Sequence, residues 1–357
     1  MEFKIKDFRE IFSEKAFALP IRWDGVDFLA TLRMLFQRYC ESVSTLFYHD
    51  DAVRELFPIV SSICDRIIKS IEKYLDGKPS EAYSDFNNLF KNDLMSNQFS
   101  LYNTFFDPNL LQSKSRSNRP KLFRARKVDE NRIFKRSEIF HIPFNLRNKV
   151  ATSRYSIAGY PSLYLSSSLE LCLEEMEYDI NPGRYICSRF ELYDESTPRI
   201  IELGIKPQDF LIADKAVKGT KRFELIDKQL LTNSSVIKNY YLWYPLIAAC
   251  SFIRINRSDP FAAEYIVPQL LMQSIRTFRA NNVFMGIRYF SCASEYSSEL
   301  GFNYVFPTHY DGNKGQLCSV LSKSFLLTKP LFLNEYKEIN FCELALRNSK
   351  TDFVNKV

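Results

Sequence analysis

Residues 140–176, FHIPFNLRNKVATSRYSIAGYPSLYLSSSLELCLEEM, bring an Arg-Tyr pair, a further tyrosine and two adjacent glutamates into one short stretch. The residues before the glutamates decide where they point. Ser167-Ser168-Leu169-Glu170 has the S-x-x-E form of a capping box, so a helix is expected to begin after LYL and run over Leu169 to Tyr178. Leu169, Cys172, Leu173 and Met176 would share its buried face. At about 100° per residue, Glu175 sits roughly 110° from the centre of that face and Glu174 roughly 150°. Glu175 is therefore expected nearer the protein body, with Glu174 turned to water. A glutamate pair on a helix is ordinarily a solvated face, so a chemical role for either depends on the side chains around it.

Other chemistries lack their residues. His49, His141 and His309 are the three histidines, no two at a helical i, i+4 spacing, and the eight cysteines form no CxxC pair. No zinc site is expected, and the thiols read as buried and reduced. His141, between apolar residues, reads as structural. Ten glycines leave little material for a phosphate loop, and neither GxxxxGK[ST] nor GxGxxG occurs.

Short strings in a fixed order carry more than any one residue. FRAR at 123–126, IFHIPF, TSRYSIAGYPSLYLSSSLELCLEE, YIVPQLL at 265–271 and GIRYFS at 286–291 follow one another as in the RES-domain family, whose name records an Arg, a Glu and a Ser. The chain resembles that family over about two-thirds of its length. The resemblance implies an enzyme acting on NAD+ as substrate, a fold similar to ADP-ribosyltransferase toxins, and a partner antitoxin. Carried over residue by residue, it assigns the Arg-Tyr pair to Arg154 and Tyr155, the strand tyrosine to Tyr164, the glutamate to Glu175 and the serine to Ser291. Tyr164 and Glu175 are eleven residues apart, the family's expected spacing, and Glu174 leaves the register open by one. Tyr265, Pro268 and Gln269 match a family helix and read as scaffold.

The implied chemistry suits these side chains. Cleaving the nicotinamide–ribose bond expels a neutral base from a pyridinium, so positive charge gathers on the ribose and a preorganised carboxylate at Glu175 would stabilise it, hold a ribose hydroxyl or orient a water. Arg154 offers a bidentate fork to the pyrophosphate. Tyr155 and Tyr164 offer faces for ring stacking and hydroxyls for the ribose. Ser291 is expected to hydrogen-bond the ribose or the glutamate; with no histidine in a partnering motif it is not read as a nucleophile.

Elements that position these residues lie in the second half. Leu122 to Ala125, Ser162 to Leu165, Tyr185 to Leu192, Ile200 to Leu203, Val283 to Phe290 and Asn303 to Phe306 read as strands, and Tyr240 to Phe252 and Ala263 to Phe278 as further helices. From Gly25 to about Phe106 the pattern is helical: Phe28, Leu32, Phe36, Tyr39 and Val43 line a first helix, and Leu56, Val60, Ile63, Ile67 and Ile71 a second with Pro58 as a possible kink and Gly77 at its end. Asp50 and Asp51 are candidate caps. Pro79 opens a third helix with Ala82, Phe86, Leu89 and Phe90 inward. The expected architecture is α+β: a helical region over 1–110 for oligomerisation, partner binding or regulation, a polar basic linker over 111–120, and a RES-type catalytic domain with a mixed sheet over 121–357.

Composition sets the outer limits. With 357 residues, 46% hydrophobic, 31 Phe and 20 Tyr, the chain has material for a large core. A net charge of +6 without charge blocks permits nucleic-acid binding without indicating it. No apolar run reaches the roughly 20 residues of a membrane span, and the N-terminus lacks a signal-peptide h-region, so a cytoplasmic protein is expected. The expected activity is that of an NAD+ glycohydrolase acting as a toxin or effector, without a metal. Phosphate or a protein side chain as acceptor would make it a phosphorylase or ADP-ribosyltransferase. A reading of another class is a non-catalytic module binding a nucleotide or nucleic acid.

Overall fold

The computed structural model describes residues 5–46, 51–90, 120–129, 132–176, 184–192, 199–213, 215, 219–256, 258–277, 285–310, 312 and 316–333. Its helices are α1 (Ile5–Phe12), α2 (Phe28–Leu46), α3 (Asp51–Leu75), α4 (Pro79–Asn87), α5 (Arg136–Ile139), α6 (Leu169–Glu175), α7 (Pro207–Ile212), α8 (Ser234–Ala249), α9 (Ile266–Thr277) and α10 (Ser319–Ser324). Strands are β1 (Leu122–Lys127), β2 (Ser162–Ser166), β3 (Tyr185–Leu192), β4 (Arg199–Leu203), β5 (Met285–Phe290), β6 (Phe302–Pro307), β7 (Phe325–Leu327) and β8 (Leu331–Phe332). The fold is α+β, helices first and the sheet after them.

The sheet runs in the order β4-β5-β6-β2-β1-β3-β7, with β8 also on β3. Only β4–β5 is parallel among its described pairings. Opposite residues on neighbouring strands share a face. Tyr289 on β5 faces Asn303 on β6, and Asn303 faces Ser166 on β2, so these three form one row across the sheet. Tyr164, two residues before Ser166, points to the same side.

Apolar spacing accounts for the helices. Phe28, Leu32, Phe36, Tyr39 and Val43 of α2 and Leu56, Val60, Ile63, Ile67 and Ile71 of α3 are buried. Helix α3 continues through Pro58, and Gly77, at φ +75°, follows its end. Asp51 is the first residue of α3 rather than its cap, and Asp50 lies outside the described residues. The 111–120 segment lies outside them except for Pro120.

At the centre lies α8, where Ile237 and every residue from Tyr240 to Ala249 are buried. It starts six residues before the apolar run does, because the Asn233 side chain accepts from the amides of Ser235 and Val236. The first helices pack on it. Tyr39 donates to the carbonyl of Tyr241 at 2.6 Å and Tyr244 to that of Phe17 at 3.2 Å, while Phe12 lies edge-on to Tyr240 and Tyr244. Ile21 then pairs beside Phe252: its amide donates to Ser251, and its carbonyl accepts from Ile253, both at 2.9 Å. Residues before 90 and after 120 thus share one hydrophobic core. No helix among the described residues is long and apolar enough to cross a membrane.

Candidate active site

A cavity of about 340 Å³ opens beside the Tyr289–Asn303–Ser166 row, lined by Thr152, Ser153, Arg154, Tyr164, Glu175, Arg254, Tyr265, Tyr289, Cys292 and Ala293. Arg154, Tyr164 and Glu175 meet in its wall, although the sequence separates them by up to 21 residues.

Glu175 is the last residue of α6. The helix is capped by Ser168, whose Oγ accepts from the Leu171 amide at 3.1 Å. This moves the expected cap by one residue, because the Ser167 hydroxyl accepts from the Phe302 amide at 2.8 Å and Glu170 pairs with Lys221. The buried face moves with it, to Leu171 and Cys172, which stand one turn before Glu175. Accessibility of the glutamates is the reverse of the sequence expectation: Glu175 is exposed and Glu174 half-buried. The helix ends at Glu175 with Met176 as its C-cap, and Glu175 lines the cavity; the expected end at Tyr178 lies outside the described residues. Glu175 Oε1 accepts from Asn303 Nδ2 at 2.6 Å.

Arg154 is buried rather than engaged in a surface ion pair. It donates to the carbonyls of Cys250 at 3.2 Å and Phe252 at 2.8 Å, just beyond the C-terminal end of α8, where a cation is favoured by the helix dipole. Arg254 binds the carbonyls of Asn256 and Asp259 at 2.9 and 2.6 Å, closing its own loop. The guanidinium carbons lie 4.9 Å (Arg154) and 5.1 Å (Arg254) from the centre of the Tyr265 ring. With carbonyls and an aromatic ring as partners, neither cation is neutralised by a carboxylate among the described residues.

Two expected site residues stand outside the wall. Tyr155 is 1% exposed, with its ring 4.7 Å from that of Tyr289, so it backs the lining and Tyr289 presents the face. The turn at Ser153–Ser156 directs successive side chains apart: Ser156 Oγ accepts from the Ser153 amide and donates to its carbonyl. Ser291 is fully buried and shares a 2.9 Å hydrogen bond with Ser297, while the Ala293 amide donates to it at 3.2 Å. Because β5 ends at Phe290, strand alternation stops there, and Cys292 and Ala293 take the wall positions. The Lys206 ammonium pins the same loop through Ser298 at 2.6 Å.

Burial raises the phenol pKa values of Tyr164 and Tyr289, with Glu175 adding to the second, so both stay protonated and able to donate. It raises the Cys292 thiol as well, against the Arg154 charge, and pushes Cys172 up to about 11. These thiols are neutral near pH 7. His141 is satisfied away from the cavity: Nδ1 donates to Ile142 and Nε2 accepts from the Cys318 amide, both at 2.8 Å. Among the described residues, no three His, Cys, Asp or Glu side chains gather as metal ligands.

Sequence reasoning missed Arg254, Tyr289, Cys292 and Asn303, and read Tyr265 as scaffold. Asn303 left one signal, an amide inside the apolar run GFNYVF. Gln269, also read as scaffold, donates to the Ser153 carbonyl at 3.3 Å and so steadies the arginine's loop.

Comparison with known proteins adds a relative. The chain is 30% identical over 323 residues to a Bacillus subtilis (strain 168) protein described as "Putative toxin YopC", covering 88% of this chain and 68% of the relative. The chain belongs to the YopC family. No family model matches it, and no solved structure does. The 323 aligned residues are too many to fit within the region after 120, so the YopC family likeness extends into the N-terminal helices.

Proposed function

We propose that this chain is a RES-type toxin that consumes NAD+ by hydrolysing its nicotinamide–ribose bond. The observation that carries the reading is the presence, in the lining of one cavity, of the Glu175 carboxylate and two guanidiniums that no carboxylate among the described residues neutralises. A buried cation without an anion favours an anionic ligand, and two guanidiniums within about 5 Å of the centre of one ring suit linked phosphates. NAD+ carries a pyrophosphate for the arginines and a pyridinium ribose for the carboxylate.

The glycosidic C–N bond breaks with its electron pair passing to the nicotinamide nitrogen. Glu175 stabilises the cationic ribose, and water adds its oxygen to the same carbon. NAD+ and water thus give ADP-ribose, nicotinamide and one proton, which Glu175 accepts or passes to solvent. Tyr265 and Tyr289 supply ring faces, and Tyr164 a buried hydroxyl. A cavity of about 340 Å³ is at the small end of ligand pockets and suits the reacting end of a dinucleotide. Ser291 acts through the loop that carries Cys292 and Ala293.

The test is NAD+ loss over time with purified protein beside Glu175→Gln and Glu174→Gln. Glu175→Gln is expected to lower kcat by about 100-fold or more and Glu174→Gln by less than about twofold. Undiminished activity in Glu175→Gln sinks the mechanism. Mass spectrometry of the products identifies the acceptor: free ADP-ribose for water, ADP-ribose 1″-phosphate for phosphate, a protein adduct for a side chain.

A further inference from the structure

The Glu175 carboxylate does not hold its place alone. Asn303, 4% exposed on β6, reaches it with Nδ2 at 2.6 Å, and on the other side Ser166, 5% exposed on β2, donates from Oγ to Asn303 Oδ1 at 2.5 Å. The two strand residues are register partners, so the sheet itself sets their spacing. An ionised carboxylate only accepts hydrogen bonds, so the amide must turn its nitrogen to Glu175 and its oxygen to Ser166. A serine hydroxyl can satisfy that oxygen, and an alanine cannot.

We propose that Ser166 and Asn303 form a relay that positions Glu175, with Asn303 as the positioning residue and Ser166 as the group that fixes its amide. The donor's neutrality has a consequence. A lysine or arginine in its place would hold the carboxylate equally well but cancel the charge that a cationic ribose requires. The amide fixes Oε1 and adds no countercharge, and among the described residues no hydrogen bond engages Oε2. Asn303 is not among the residues that line the cavity and acts through Glu175, which is. As a statement about catalysis, the relay rests on the NAD+-cleaving reading; as a statement about the carboxylate's position, it does not.

Steady-state NAD+ cleavage and crystal structures of Ser166→Ala, Ser166→Thr and Asn303→Leu, with wild type and Glu175→Gln alongside, test both. Asn303→Leu is expected to lower kcat by about 100-fold, the scale of a misplaced reacting group, with KM within about twofold. Ser166→Ala, which frees the amide to turn, should lose about tenfold in kcat, and Ser166→Thr should restore it. In the Asn303→Leu and Ser166→Ala crystals, the Glu175 carboxylate should leave its place in the wall. A carboxylate unmoved in both overturns the relay, as does unchanged kcat in both variants beside a Glu175→Gln enzyme that is inactive. If wild type itself leaves NAD+ intact, the hydrolase reading fails and the crystals alone decide the relay.

Discussion

A titratable side chain sealed among main-chain partners reports on pH as well as on packing. His141 is 1% exposed, and burial, ahead of the smaller effect of Arg124, brings its pKa down to about 4. An unfolded histidine titrates near 6.5, so between these values the unfolded chain binds a proton that the folded one refuses, and stability falls as pH falls through that window. About 2 kcal/mol of stability should be lost between pH 7.5 and 5. Denaturant unfolding at both values, compared with His141→Asn, measures it; equal losses in the two proteins would refute the assignment. At this scale the sequence was readable where a residue's neighbours are local. His141 read as structural from the apolar residues around it. Helical phase placed Glu175 nearer the body than Glu174, and their accessibility is the reverse, because the cap and the buried face are displaced by one residue. Arg254, Tyr289 and Asn303 escaped because their meaning lies in each other, and 14 to 49 residues separate them.

Between elements, the decisive link is that of α6 with the sheet. Its N-terminal cap is a single serine whose hydroxyl serves two sites, accepting from Leu171 at 3.1 Å and donating to the Leu300 carbonyl at 3.3 Å. Ser168→Ala should lower unfolding stability by about 1 kcal/mol, measured by denaturant titration. Because α6 ends in Glu175, the proposed NAD+ cleavage should fall in the same variant by more than its stability loss explains; full activity would show that the helix C-terminus is held independently of its cap. Strands were the most legible elements: six β-branched or aromatic runs correspond to β1 to β6, with ends that match or shift by up to two residues, Val283 and Phe284 lying outside the described residues. The short β7, β8 and α7 carry too few residues for periodicity to register. Before Gly25, Ile5, Phe8, Ile11 and Phe12 stand at helical spacing over only two turns and went unread; Phe12 and Phe17 are buried against rings from α2 and α8.

For the whole molecule, the shared core changes what truncation should do. Removing residues 1–110 strips Phe12, Phe17 and Tyr39 from α8 and exposes an aromatic face that includes Tyr240, Tyr241 and Tyr244. The fragment should therefore be insoluble or lack cooperative unfolding, in place of the released activity expected of a detachable regulator. A soluble, cooperatively melting 111–357 fragment would contradict this.

The strand-like pairing of Ile21 with Ser251 and Ile253 has a temporal side. Ribosomes deliver Ile21 some 230 residues before its partners, and Trp23, whose indole nitrogen donates to the Ile253 carbonyl at 3.2 Å, waits equally long. Arg154 cannot find its carbonyls until residue 252 has emerged, and Glu175 lacks its amide until residue 303 follows. The carboxylate and the guanidinium that face one cavity are thus held in place only once residue 303 has emerged.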